Sequence, residues 1–161
     1  MSYSLDEGVT WTDLTLVNNT NIATINTGDK ILFKGINSNM SNSWDKHWHF
    51  RGGKTFKTYG NVMSLLFGDN FTSNSEFTSK TTCNFCGLFL GTTKLTDASN
   101  LILPALTCAA SCYNGMFRGC TSLITAPALP ATQSAQECYA SMFEGCINLE
   151  EAPEINLTNL S

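Results

Sequence analysis

The feature that most constrains this chain is a repeat of fixed period in its second half. Cys112, Tyr113, Met116, Phe117, Gly119, Cys120 and Leu123 recur as Cys138, Tyr139, Met142, Phe143, Gly145, Cys146 and Leu149, each 26 residues further on. Leu103 and Leu129, Pro104 and Pro130, Ala105 and Ala131, and Pro127 and Pro153 keep the same offset. A looser copy runs through Cys86, Leu88, Phe89, Gly91 and Leu95, its Leu-Phe, Gly and Leu positions 28 residues before those of the next copy. A fainter one lies at residues 59–68. A period in the twenties predicts units that bury their apolar faces only by stacking, as a solenoid does.

Spacing within a unit predicts a short helix. Tyr139, Met142, Phe143 and Cys146 fall at i, i+3, i+4 and i+7, one helical face. Ser134 and Glu137 have capping-box spacing, and Gly145 suits a left-handed helix end. Residues 149–157 read as an extended arm, with Pro153 outside its ladder or on its edge. Stacked units then place Tyr over Tyr, Phe over Phe and Cys over Cys.

Before residue 59 the pattern changes to short apolar or β-branched runs between turn residues. Residues 9–11, 21–25 and 30–34 read as strands, and residues 47–50 and 54–59 as a hairpin about Gly52-Gly53. Residues 71–84 read as a polar surface loop. The division is therefore a β-rich part, 1–58, and a repeat segment, 59–161, with two clear repeats at about 98–149, a degenerate copy before and a half unit after. The expected class is mixed α and β: a β-rich N-terminal part packed on a short solenoid of extended segments and short helices.

Composition narrows function. The chain has 161 residues, nine Lys and Arg against 13 Asp and Glu, and a net charge of −4, which opposes a nucleic-acid partner. No stretch approaches the ~20 apolar residues of a membrane span. The opening residues lack the basic and apolar regions of a signal peptide. Ser, Thr and Asn supply 51 residues, a weakly charged polar surface.

Seven cysteines is an odd number, so at least one stands outside any intrachain disulfide. Cys112, Cys120, Cys138 and Cys146 hold repeat positions and read as buried thiols, with Cys86 a fifth. Cys83, Cys86, Cys108 and Cys112 have a spacing that zinc accepts, but Cys86 and Cys112 fit the repeat better, and no metal or other cofactor is expected. The sequence leaves open whether Cys83 or Cys108 joins a disulfide. His47, His49 and Arg51 share one side of a strand, Trp48 and Phe50 the other. With Asp45 alone nearby, the two histidines make a weak metal set. No catalytic motif is present, so no catalytic residue is assigned and no enzyme is expected.

Here a resemblance enters. The pattern Ala-Pro-Ala-Leu-Pro-Ala-Thr at 126–132 is followed by Cys-Tyr-x-x-Met-Phe-x-Gly-Cys-x-x-Leu at 138–149, which recurs at 112–123. It resembles the BspA-type leucine-rich repeats of bacterial surface proteins, notably those of gut Bacteroidales. Residues 59–69 and 3–11 are similar to the β-rich region preceding such repeats. The resemblance implies a leucine-rich-repeat solenoid and non-catalytic recognition or adhesion at the cell surface or outside the cell, with a host or bacterial surface protein or a glycan as partner. Contact residues are then those that the scaffold leaves free: Asn114, Arg118, Gln133, Gln136, Glu137, Ser141 and Glu144, with Trp44 as a flat face for a sugar. The alternative is a structural or assembly module, for example a decoration or fibre part of a phage virion.

Overall fold

The computed structural model describes residues 1–14, 24–38, 40–43, 46–77 and 82–158. Its strands are β1 (Ser2–Ser4), β2 (Thr12–Asp13), β3 (Leu32–Lys34), β4 (Ser41–Ser43), β5 (Lys46–His47), β6 (Phe56–Asn61) and β7 (Leu95–Ile102). They form three small sheets: β2-β1-β3 and β4-β5, both antiparallel, and β6-β7, parallel. The described helices are α1 (Ser64–Phe67) and a 3-10 helix, Gly68–Ser73. Among the described residues no helix is long and apolar enough to cross a membrane.

The expected class is overturned. The described residues are mainly short strands and turns, with one short α-helix, and neither clear repeat contains a helix; a solenoid of extended segments and short helices is not what the chain forms. The segments at 109–119 and 135–145 are runs of turns. Backbone handedness explains why. Ser111, Gly115 and Gly119 have φ of 52°, 57° and 72°, and Glu137, Ser141 and Gly145 have 56°, 51° and 77°. A helix needs unbroken right-handed φ, so a left-handed residue at every fourth position prevents it. The capping box at Ser134 and Glu137 fails for the same reason.

The amides then alternate in destination. Even-numbered ones close turns on the carbonyl three residues back, as Met116 does on Tyr113 and Cys120 on Phe117. Odd-numbered ones reach across to the next turn run. Phe85, Gly87, Phe89 and Gly91 donate to Cys112, Asn114, Met116 and Arg118. Tyr113, Gly115, Phe117 and Gly119 donate to Cys138, Ala140, Met142 and Glu144 at 2.8–3.0 Å. The odd-numbered amides of the first two turn runs are thus satisfied by the next run, which makes the packing of one rung a condition for the other.

Side chains follow this register. Phe89, Phe117 and Phe143 stack with centroids 5.4 and 5.6 Å apart and planes 2° from parallel. Phe85, Tyr113 and Tyr139 stack at 6.0 and 5.7 Å. These separations at near-parallel planes are offset stacks, which the ring quadrupole favours over a face-to-face sandwich. Met116, Phe117, Tyr113 and Leu123 are fully buried. The arms between turn runs touch through isolated parallel bridges, Asp97 to Thr125, Thr107 to Gln133 and Leu129 to Ile155.

The N-terminal part differs from expectation in two places. The strand expected at 9–11 begins later, because the Asp6 carboxylate takes the Thr10 amide at 2.8 Å, the Thr10 hydroxyl at 2.6 Å and the Ser4 hydroxyl at 2.7 Å. These bonds, Thr10 first, hold the Asp6 carboxyl down to about 2. Val9 is left out in solvent and β2 starts at Thr12. The hairpin at 47–59 does not form. β5 pairs with β4, while β6 pairs with β7. The Phe50 amide goes to Leu88 at 2.9 Å, and its ring packs between Phe33 and Phe89 at 4.8 and 6.0 Å, so the chain leaves the would-be hairpin to cover the first turn run. The strand expected at 30–34 is present as β3. Part of the strand expected at 21–25 and part of the loop at 71–84 lie outside the described residues; residues 24 and 25 are irregular, and residues 68–73 are the 3-10 helix.

Candidate functional site

All seven cysteines are free thiols, and six are buried. Cys120 and Cys146 do more than fill space. Each thiol donates across a rung, Cys120 to the Phe89 carbonyl at 3.1 Å and Cys146 to the Phe117 carbonyl at 3.0 Å. The equivalent residue of the first turn run is Thr92, whose buried hydroxyl donates to the Phe50 carbonyl at 2.9 Å. This position therefore requires a small side chain with a proton to give. Burial pushes the Cys120 thiol up to about 12, so it stays a protonated donor.

Cys86 is not the rung residue that a 26-residue offset suggests. Phe85 stacks on Tyr113, so the first interval is 28 residues and Asn84 stands where Cys112 and Cys138 do. Cys86 instead donates to the Ser111 carbonyl at 3.0 Å. Cys108 has a pKa lowered to about 7, with the Cys112 thiol as the main cause and Tyr139 and Cys138 adding to it against burial. At 5% exposure it is closed to a reactant from solvent. Among the described residues no three His, Cys, Asp or Glu side chains gather as a metal site. His47 ends β5 and His49 lies beyond it in irregular chain, their ring centroids 4.1 Å apart.

The residues proposed for contact are placed as follows. Arg118 pairs with Glu144 at 2.7 Å and Asn114 meets Glu137 at 3.5 Å, both across one rung. Glu137 and Ser141 occupy left-handed positions on the same turn run, exposed. Gln133 and Gln136 are exposed side chains whose carbonyls accept from Cys108 and Ser111. Five of the seven thus form one outer stripe along two turn runs, and part of that stripe is paired with itself. Trp44 and Asp45 lie outside the described residues.

Sequence reasoning missed a groove on the arm side. Its volume is about 700 Å³, and its lining includes Ile124, Pro127, Ala128, Pro130 and Pro153, with Glu150, Glu151 and Glu154. The repeated prolines and the acidic run Glu150, Glu151 and Glu154 were the available signals. The groove's two hydroxyls are both committed: Ser99 and Thr125 donate to one Asp97 carboxylate oxygen at 2.7 and 2.6 Å. Those bonds, Thr125 first, with Lys57 at 3.1 Å, hold the Asp97 carboxyl well below the usual range. Comparison of the chain with protein-family models, curated proteins and solved structures finds no match.

Proposed function

We propose that this chain is a non-catalytic recognition module of the cell surface that binds a protein or a glycan. The observation that supports it most is the arm-side groove, where Ile124, Ala128 and Pro130 are exposed beside three glutamates. The exposed apolar side chains give contact area, and the charges select a partner by sign. The partner this favours is a protein surface carrying Lys or Arg. Two further facts speak for binding over chemistry: the groove's hydroxyls are bound to Asp97, and Cys108 is enclosed. The resemblance of the turn pattern to BspA-type repeats supports the surface setting.

Ala128 lines the groove with an exposed side chain, so Ala128→Trp fills it without touching the core. Biolayer interferometry against purified host matrix proteins and a defined glycan panel should find a binder. Ala128→Trp should weaken that binding about tenfold or more. Unchanged affinity in the variant removes the groove from the account.

A further inference from the structure

We propose that Cys83 and Cys86 form a reversible redox pair, closing to a disulfide when a small-molecule disulfide is present and reopening under a thiol reductant. Three observations single them out among the seven cysteines. The first is backbone geometry. The Cys86 amide donates to the Cys83 carbonyl at 3.4 Å, which closes a four-residue turn on this C-x-x-C. Such a turn holds its end Cα atoms within about 7 Å, and a disulfide takes about 4.4–6.8 Å. The second is thiol contact. The two thiols interact directly, and burial first, then Cys83, pushes the Cys86 thiol well above the usual range. The third is exposure: of the seven, Cys83 alone is not buried. Cys108, Cys112 and Cys138 also lie together, but at 5%, 0% and 4% exposure they are closed to a reactant from solvent.

A partly exposed attacking thiol beside an enclosed resolving thiol is the arrangement of a redox-sensing pair. The exchange runs in two steps. The Cys83 sulfur attacks one sulfur of the small disulfide, and the Cys83 proton leaves on the first released thiol. The Cys86 sulfur then attacks Cys83 in this mixed disulfide, the bond to the small molecule breaks, and the Cys86 proton goes to the second released thiol. Two protein thiols are oxidised and one small disulfide is reduced. Closure removes a hydrogen bond across the rung. The Cys86 thiol donates to the Ser111 carbonyl at 3.0 Å, and that carbonyl then keeps the Asn114 amide at 3.1 Å. The closed loop is also too short to constrain the unfolded chain much. A disulfide that gives up a cross-rung bond and closes so short a loop reopens readily.

The test is oxidation of the full chain with glutathione disulfide, followed by alkylation in denaturant and peptide mass spectrometry. The expected product is one intrachain disulfide, Cys83 to Cys86, with every other thiol alkylated, and dithiothreitol should return the pair to thiols. Cys86→Ser should instead keep a mixed disulfide with glutathione on Cys83, and Cys83→Ser should lose disulfide formation altogether. Full alkylation after oxidation, a disulfide between any other pair, or a mixed disulfide that persists on Cys83 of the unsubstituted chain overturns the proposal. Ala128→Trp should oxidise as the unsubstituted chain does, so failure of the groove and failure of this pair are told apart.

Discussion

Replacing Phe117 by alanine is expected to destabilise the protein by about 3–5 kcal/mol, the range for deleting a fully buried phenylalanine. Phe117 is 0% exposed and is stacked on both faces, by Phe89 and Phe143. Its loss opens a cavity and removes the ring that stacks the run before it on the run after it. Phe143→Ala removes the same side chain from the last rung, where it is half-buried and stacked on one face. That variant is expected to cost about 1–2 kcal/mol. Urea denaturation of both checks the gradient. Equal losses would mean that stacking across rungs is not what holds the ladder.

The second large effect is a reversal of sign at Cys120. In an apolar core pocket, valine outperforms threonine, because a buried hydroxyl without a partner costs about 1–3 kcal/mol. At Cys120 the opposite is expected. Cys120→Thr keeps a donor for the Phe89 carbonyl, as Thr92 does for Phe50, whereas Cys120→Val leaves that bond unmade. Threonine should therefore be the more stable of the two by about 1–2 kcal/mol in thermal or urea unfolding. If valine is the more stable, the cysteines of this position are fillers and the donor argument fails.

The stacking register was legible in the sequence because a 26-residue offset is visible wherever identical side chains recur. Tyr113 over Tyr139 and Phe117 over Phe143 were read directly from it. The backbone that carries them was not. Tyr139, Met142, Phe143 and Cys146 fit a helix of 3.6 residues per turn, but over eight residues they fit turns recurring every four equally well. The deciding signal was glycine. Gly87, Gly91, Gly115, Gly119 and Gly145 all have positive φ, and the first two pairs are four residues apart. Ser111, Glu137 and Ser141 hid that spacing in the clear repeats, because a left-handed serine or glutamate is uncommon.

Cys86 was misplaced for a related reason. Its 26-residue distance from Cys112 matched, while the structural interval there is 28 and puts Asn84 on the rung. The hairpin at 47–59 failed because local alternation says nothing of distant partners. β6 pairs with β7, about forty residues away, and no two-residue period reveals that. The groove was half legible. The prolines stand out in the repeat, but their meeting with the glutamates in one concavity depends on how the arms lie side by side.

The central claim is that the repeats are turn runs joined by odd-numbered amides across rungs. Scalar couplings through hydrogen bonds, measured by NMR on labelled protein, report each donor and acceptor pair directly. The amide nitrogen of Tyr113 should couple to the carbonyl carbon of Cys138, and that of Phe117 to Met142. Coupling of Tyr113 to Ala109 and of Phe117 to Tyr113, the pairs of an α-helix, would contradict it.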